Sequence, residues 1–284
     1  MIRRTLLLSL VIACRIFAAD PLYFVQASDP QFGMFTDNKD FKQETANWEF
    51  VIANVNRLRP AFLVVTGDLT NKAGDADQIA EYKRINRALD PAIHLYSVPG
   101  NHDQTNDPTP ETVAAYRKNH GADYYSFRET GLYGIVLNST LFKAPEHVAA
   151  EEAKERSWLE AELPKARASG AIIAVFMHHP LFLMKADEPA GENLPPEIRQ
   201  KLLALFHRYG VHYVFAGHLH ANADATDGDL EMIVTCAAGR PLGADPSGFR
   251  IAEVTESKIA HKYYGLGSIP NQLPDLSEVG GAKK

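Results

Sequence analysis

Cysteine is almost absent from this sequence of 284 residues, in which Cys14 and Cys236 are the two that occur. Cys14 falls in a predicted leader, so Cys236 has no partner for an internal disulfide. A disulfide framework is therefore excluded, even for an oxidising compartment. We expect the hydrophobic core to provide the stability, because 45% of the residues are hydrophobic and the chain is long enough for one large domain.

Clusters of positive charge are also missing. The formal net charge is −6, and apart from the trailing Lys283-Lys284 no Lys- or Arg-rich run appears. A surface that attracts duplex nucleic acid by its charge is therefore excluded, and bulk nucleic acid is not an expected partner. An acidic protein can still bind a phosphate ester through metal ions, because bound ions carry the largest local charges.

A hydrophobic run long enough to cross a membrane is not found near the amino terminus. The apolar residues 5–13 are too few for a bilayer span and are closed by Arg15, so no transmembrane span is expected. They follow Arg3-Arg4 and precede small residues at 17–19, which predicts a signal peptide over residues 1–19. Alternatively, residues 11–14 (Val-Ile-Ala-Cys) resemble a bacterial lipobox that would place a lipid on Cys14. Cleavage near Ala19 and lipidation both predict an exported protein, periplasmic or secreted.

Short β-branched or aromatic segments alternate with longer amphipathic ones along the chain. Strand candidates that end in polar residues lie at 22–27, 62–66, 93–98, 171–177 and 212–216. Between them, apolar spacing predicts helices at 41–58, 76–89, 149–167 and 196–209. Further strands separated by short loops favour a second, more antiparallel sheet, and lie at 124–128, 133–138, 232–236 and 248–254. We predict an α/β sandwich of two sheets flanked by helices.

No linker divides the chain, so we predict one catalytic domain over residues 20–267. The segment 268–284 contains two prolines, two adjacent glycines and two lysines. This composition predicts a loosely ordered tail.

Five polar blocks follow the five predicted strands that end in polar residues. They are Ser28-Asp29-Pro30-Gln31, Gly67-Asp68-Leu69-Thr70-Asn71, Gly100-Asn101-His102-Asp103, His178-His179-Pro180 and Gly217-His218-Leu219-His220. Carboxylate, amide and imidazole groups that converge from several strand ends are the mixed ligands expected for two metals in phosphoryl chemistry. Each block alone is a weak signal, but five in this order make coincidence improbable.

These blocks resemble the signature of the calcineurin-like metallophosphoesterases, which reads D-x-H, G-D-x-x, G-N-H-[DE], H and G-H-x-H. The resemblance spans nearly the whole chain after the leader, and it implies a four-layer αββα sandwich. Within the family, Asp29-Pro30-Gln31 is similar to the branch that contains complete S-transactivated protein 1, a human serine/threonine phosphatase with a calcineurin-like phosphoesterase domain.

The resemblance implies two divalent metal ions and one catalytic histidine. Its first metal would be held by Asp29, Gln31, Asp68 and His220. Asp68 would bridge to the second, which would be completed by Asn101, His178 and His218. His102 would lie beside the scissile ester without binding metal. We choose His178 over His179 because the family's ligand ends the strand, two residues before Pro180.

Gln31 is a departure from the family, which usually has histidine there. An amide is a neutral, weaker oxygen donor, and the first site would then have three oxygen ligands and one nitrogen. Such a set favours Mn²⁺, Fe²⁺ or Mg²⁺ over Zn²⁺, and we expect a loosely held ion. In the alternative, the first site is lost and the chain is an inactive metal- or phosphate-binding protein.

The expected function is hydrolysis of a phosphomonoester, with a phosphoprotein among the candidates, by attack of a hydroxide that bridges the metals. A phosphodiesterase acting on a nucleotide or glycerophosphodiester is the alternative, because the same site serves both reactions. Arg240 and Arg250 are the arginines considered for a phosphate clamp, and they do not separate these substrates. Asn71 could hydrogen-bond a ligand, but an asparagine just after a strand is interpreted first as a turn residue. Asp103 has two equal interpretations, as a residue that orients His102 and as a cap of the helix that follows.

Overall fold

Two mixed β-sheets stacked face to face form the centre of the structure, a computed structural model that describes residues 21–278. In chain order the strands are β1 (Leu22–Ala27), β2 (Phe62–Thr66), β3 (His94–Val98), β4 (Tyr125–Glu129), β5 (Leu132–Val136), β6 (Ile172–Phe176), β7 (Val211–Ala216), β8 (Ala223–Asp227), β9 (Leu230–Val234), β10 (Gly248–Val254) and β11 (Ile259–Gly265). The helices are α1 (Lys42–Leu58), α2 (Ala76–Asn86), α3 (Asn101–Gln104), α4 (Pro110–His120), α5 (Ser139–Lys143), α6 (Ala149–Ala168) and α7 (Pro196–Tyr209), and a 3₁₀ turn covers Leu266–Ser268.

The first sheet has the order β11-β10-β1-β2-β3 and the second β4-β5-β6-β7-β9-β8. In the first, β1, β2 and β3 are parallel and β10 runs antiparallel to β1. In the second, β5, β6, β7 and β9 are parallel, with antiparallel strands at both edges. The predicted class of two mixed sheets is confirmed. The expectation of a second, more antiparallel sheet formed by 124–128, 133–138, 232–236 and 248–254 is wrong, because β6 and β7 form its centre and β10 joins the first sheet.

Aromatic side chains fill the space between the sheets. Phe24 stacks on Phe62 with ring centroids 4.7 Å apart, and Phe176 stacks on Phe215 at 5.4 Å. Strands buried on both faces need apolar residues throughout, which is why β2 reads FLVVT and β6 reads IIAVF.

Helices cover the outer face of each sheet. On the first sheet, α1 and α2 place Trp48 and Tyr82 in the core, and on the second, α6 and α7 place Leu159 and Phe206. These layers form the four-layer αββα sandwich that the motif resemblance implies.

The carboxyl ends of β1, β2, β6 and β7 meet at one edge of the sandwich. Asp29 N, just after β1, donates to Gly67 O after β2 at 3.1 Å, and Gly217 N after β7 donates to His178 O after β6 at 3.0 Å. The two sheets are joined there by His178 Nδ1, which lies 2.8 Å from Thr66 O at the end of β2. The polar blocks are therefore brought to one place.

Several short elements are absent from the predictions because they lack the expected periodicity. In α4, Val113 and Tyr116 are the buried residues, but Pro110 in its first turn and the Thr109 side chain, which accepts from Thr112 N, mark its start. The edge strand β8, with the sequence ADATD, contains no large apolar residue. It is ordered by pairing with β9 rather than by its own burial.

Up to Leu276, the segment predicted as a loosely ordered tail is packed against the fold. Leu276 is buried in the core under α1, and its backbone nitrogen donates to Glu253 at 2.6 Å. Arg57 in α1 donates to Pro270 O at 3.0 Å. Ile269 and Leu273 pack against the same core, so a few apolar residues among prolines and polar residues provide this anchor. The predicted leader, including Cys14, and residues 279–284 lie outside the described residues. Between residues 21 and 278, no helix has the length and apolar character needed to cross a membrane.

Candidate active site

The predicted ligands lie in turns that directly follow the strands, and most have an unusual backbone conformation. Five have a positive φ, between 40° and 74°: Asp29, Gln31, Asp68, His218 and His220. Left-handed backbone is uncommon for residues other than glycine and costs about 1–3 kcal/mol each, which the surroundings must offset. Hydrogen bonds between the turns do so in part, because Gln31 N donates to Asp68 O at 2.9 Å. Backbone strain is therefore concentrated at this edge.

Two motif glycines make room for carboxylates that belong to other motifs. A Cβ atom on Gly100 would overlap Asp68 Oδ1. One on Gly217 would overlap Ser28 Oγ and lie 2.6 Å from Asp29 Oδ2. The backbone thus approaches each carboxylate more closely than any side chain permits. This explains the glycine that opens each of these two motifs.

Four side chains converge around the end of β6, namely those of Asp68, Asn101, His178 and His218. His178 Nε2 lies 2.9 Å from Asn101 Oδ1, 3.3 Å from Asp68 Oδ2 and 3.2 Å from His218 Nδ1. Its other nitrogen, Nδ1, must carry a proton, because it donates to the carbonyl of Thr66, which can only accept. In the neutral imidazole, Nε2 therefore presents a lone pair to oxygens that also carry lone pairs. Such a group is stable only around a shared cation.

The protonation of this group follows from the same contacts. Burial alone would lower the pKa of His178, but the Asp68 carboxylate outweighs it and raises that pKa to about 9. Burial would raise the pKa of Asp68, and the charge and hydrogen bond of His178 instead hold it below its usual range. A proton on His178 is thus one cation that suits the group, and a divalent ion that binds there displaces it.

A second group of acceptor atoms belongs to Asp29, Gln31 and His220. Asp29 Oδ1 and Gln31 Oε1 are buried, and neither has a hydrogen-bond partner. His220 Nδ1 donates to the carbonyl of Arg240 at 2.5 Å, and its Nε2 lies 3.4 Å from Asp29 Oδ1. Buried polar atoms without partners are costly, and two carbonyl-type oxygens beside an imidazole nitrogen are suitable ligands for a divalent cation. The residues present therefore fit metal binding.

His102 is fixed at the edge of these two groups. Its backbone nitrogen donates to Asp68 Oδ1 at 2.8 Å, and its Nδ1 donates to the carbonyl of Asn71 at 2.9 Å. Nε2 is then the nitrogen left for a substrate. Asn71, and not Asp103, holds the His102 ring. Asp103 is buried and accepts from the backbone nitrogens of Gly100, Leu69 and Thr70 at 2.9–3.1 Å, which clamps two motif turns together.

Three further residues considered in the sequence have clear positions. His179 is buried beside His218, with ring centroids 4.4 Å apart, and its Nδ1 contacts Ser139 Oγ. Burial and the charges of His218 and His178 lower its pKa well below the usual value. Arg250 is buried between the sheets on Thr235 Oγ1 and is unavailable to a substrate. Arg240 is exposed, and its carbonyl contacts the ligand candidate His220.

Comparison with known proteins identifies the family. The family model of the calcineurin-like phosphoesterases matches residues 22–222, which include all five polar blocks. This chain belongs to that family. It is 39% identical over 267 residues to the human serine/threonine-protein phosphatase CPPED1, covering 88% of this chain and 85% of that protein. The predicted family and branch are thus confirmed, and the chain is a metal-dependent phosphoesterase.

More distant similar proteins differ in the activity for which they are named. A dimetal phosphatase from Danio rerio shares the fold, with a TM-score of 0.64 and 16% identity over 87% of this calcineurin-like chain and 97% of that one. A cAMP/cGMP dual specificity phosphodiesterase from Mycobacterium tuberculosis is 27% identical over 231 residues, 75% of this chain and 69% of that protein. The similar proteins are therefore named both as phosphatases and as phosphodiesterases.

All eight predicted site residues lie at this one edge, and the structure adds residues that motif reading left out. Asn71 was read as a turn residue, yet its side-chain oxygen accepts from Gln31 Nε2 at 3.1 Å and its carbonyl holds His102. The carbonyl oxygens of Thr66 and Arg240 hold two more histidines. Backbone carbonyls leave no trace in a sequence. The unusual amide at position 31 is the signal in the sequence for this pairing with a nearby amide.

The close approach at Gly100 makes it intolerant of any side chain. We expect Gly100→Ala to displace Asp68, to reduce bound divalent metal and phosphatase activity severely, and to destabilise the fold by about 1–3 kcal/mol through overpacking. Metal analysis and thermal unfolding measure both effects. Gly267→Ala is the matched control, because no atom lies within 4 Å of its added Cβ. Normal metal content in Gly100→Ala would contradict this account of the motif glycine.

Proposed function

We propose that this phosphoesterase hydrolyses phosphomonoesters, on phosphoserine or phosphothreonine of a protein, with two divalent ions. The observation that carries the proposal is the pair of acceptor groups that share Asp68. Similarity to CPPED1, named a serine/threonine-protein phosphatase, supports the choice of substrate. Asp29, Gln31, Asp68 and His220 would hold the first ion, and Asp68, Asn101, His178 and His218 the second.

Two ions in such a site supply an activated water and neutralise charge on the phosphoryl oxygens. The protein's own contribution is to hold its ligands in a fixed orientation before a substrate binds. The imidazoles of His178 and His220 cannot rotate without losing their bonds to Thr66 and Arg240. Asn101 Nδ2 donates to Asn106 at 2.6 Å, which directs Asn101 Oδ1 toward the second ion's position.

His102 would protonate the leaving alkoxide or stabilise charge on the transferred phosphoryl group. The Asn71 carbonyl holds its Nδ1, so Nε2 faces the substrate with a defined tautomer. The bond from His102 N to Asp68 Oδ1 ties the histidine's backbone to the shared carboxylate. A general acid in this position contributes about 10²- to 10⁴-fold to the rate.

A phosphodiesterase is the second candidate. It rests on similarity to the M. tuberculosis cAMP/cGMP phosphodiesterase. It also rests on the scarcity of positively charged side chains that could bind a doubly charged monoester, because Arg250 is buried. An inactive binding protein is disfavoured. A chain that had lost catalysis would have no need to retain the catalytic residue His102 or the strained left-handed backbone at Asp68.

Turnover of p-nitrophenyl phosphate and of bis-p-nitrophenyl phosphate separates these functions. We expect metal-reloaded protein to hydrolyse the monoester, to dephosphorylate phosphoserine peptides, and to lose both activities with a chelator. Asp68→Asn should lose metal and activity. His102→Ala should keep metal and lose about 10²- to 10⁴-fold in kcat.

His94→Ala is the control, because His94 is exposed and contacts Glu129 away from the site. Turnover of the diester alone would favour the second candidate. Activity that survives both chelation and Asp68→Asn would overturn the metal-dependent reaction.

The first ion should be Mn²⁺, Fe²⁺ or Mg²⁺ rather than Zn²⁺, and loosely held, because Gln31 contributes a neutral oxygen in place of an imidazole nitrogen. We expect Gln31→His to bind the first ion more tightly and to shift the activating metal toward Zn²⁺. Calorimetric titration and activity with each metal measure this. If Gln31→His changes neither affinity nor metal preference, residue 31 is not the ligand that sets them.

Export remains a proposal that rests on residues 1–19, which lie outside the described residues. Cleavage near Ala19 and lipidation of Cys14 leave different amino termini. The intact mass of the mature protein distinguishes them, and Cys14→Ser abolishes processing in the second case only.

A further inference from the structure

Four side-chain amides form a continuous hydrogen-bonded chain from helix α2 to the candidate ligand Gln31. Gln78 Nε2 donates to Asn38 Oδ1 at 2.8 Å, and Asn71 Nδ2 donates to the same oxygen at 2.9 Å. Asn71 Oδ1 then accepts from Gln31 Nε2 at 3.1 Å. We call these residues, Gln78, Asn38, Asn71 and Gln31, the amide relay.

The direction of every bond in the relay follows from two backbone groups. Gln78 Oε1 accepts from the backbone nitrogens of Asn71 and Lys72, both at 3.0 Å. A backbone N–H can only donate, so this end of the Gln78 amide must be its oxygen and the other end must be its NH₂ group. Asn38 must then present oxygen to Gln78.

The same reasoning carries on to the site. Since Asn38 presents oxygen, Asn71 must turn its NH₂ group toward Asn38 and its oxygen toward Gln31. Gln31 must therefore give its NH₂ group to Asn71, which leaves Oε1 as the buried end of the amide that has no hydrogen-bond partner. An NH₂ group in that place would repel a cation.

The backbone is shaped around the relay. Gly33 has a φ of 109°, and a Cβ atom there would lie 2.6 Å from Gln78 Nε2 and 2.8 Å from Asn38 Oδ1. Both distances are too short for a carbon atom, so the loop that begins at Gln31 folds closely over the amides. Gln78 itself is buried.

We propose that the amide relay is a positioning device that fixes the polarity of Gln31 and so makes an amide usable as a metal ligand. The histidine that the family usually has at this position needs no such device. An amide can reverse its oxygen and nitrogen ends, whereas an imidazole has no oxygen end to exchange. The inference rests on the proposed function, in which Gln31 holds the first ion.

The test is made at Gln78, which lies outside the ligand set. In Gln78→Glu, one carboxylate oxygen still accepts from the backbone, but the other can no longer donate to Asn38. Asn38 and Asn71 are then free to reverse, and Gln31 can present nitrogen to the metal. The variant should fold, because Gln78 is in the first turn of α2 after the N-cap Asp75, where glutamate is favourable.

We expect Gln78→Glu to weaken Mn²⁺ binding at the first site, the weaker of two binding events, by about 10- to 100-fold in a calorimetric titration of metal-free protein. The tighter event, at Asn101, His178 and His218, should be unchanged. Gln31→Glu supplies oxygen at both ends of residue 31. In that background, Gln78→Glu should therefore have little effect on Mn²⁺ affinity, and the double-mutant cycle reports the coupling.

Two variants of Asn71 test the last bond of the relay. Asn71→Asp keeps an acceptor for Gln31 Nε2 and should retain most of the affinity, whereas Asn71→Leu should lose as much as Gln78→Glu. Equal affinity of Gln78→Glu and the unchanged protein would overturn the proposal. The proposal would also be overturned if Gln78→Glu reduced Mn²⁺ affinity equally with Gln31 and with Gln31→Glu. An equal reduction would show general damage to the protein rather than reversal of the Gln31 amide. If the unchanged protein binds no divalent ion, it is the proposed function that fails.

Discussion

The active site depends on one electrostatic constraint, which is that lone pairs from four strand ends face one another across the carboxylate of Asp68. On one side are Asn101 Oδ1, His178 Nε2 and His218 Nδ1, and on the other the partnerless oxygens of Asp29 and Gln31. Burial makes their mutual repulsion large, because the protein interior screens charge less than bulk water does. Bound cations relieve it. The motif glycines and the left-handed turns follow from the need to bring these atoms so close together.

The polypeptide backbone determines which atoms face the cations. Three histidines, His102, His178 and His220, each bond through Nδ1 to a backbone carbonyl, so each presents Nε2 to the site. Backbone N–H groups do the same for the amides through Gln78. A carbonyl only accepts and an N–H only donates, and neither can rotate independently of the fold. The polarity of the site is therefore a property of the sandwich and not of the ligand residues alone.

Structural features that depend on neighbouring residues were predicted well from the sequence, and those that depend on distant residues were predicted less well. The strands 22–27 and 62–66 and the helix 196–209 agree with the structure to the residue, because apolar periodicity and flanking prolines and glycines act within a few residues. The sheet to which each strand belongs was partly wrong, since β10 pairs with β1 across more than two hundred residues of sequence. The edge strand β8 is formed by its partner and has no signal of its own. Asp103 proved to be a clamp between motif turns, which its role as a helix cap only half described.

By itself, the sequence determined which residues stand at the strand ends and in what order, and hence the family and its chemistry. A polar residue after a buried strand is recognisable without knowing where the strand lies. Only the tertiary structure decided how those residues are oriented. Gln31 takes its direction from Asn71, 40 residues away, and His178 from Thr66, 112 residues away. The first bond requires β1 and β2 to pair, and the second requires the two sheets to stack. Neither pair of partners shares a local periodicity that a sequence could display.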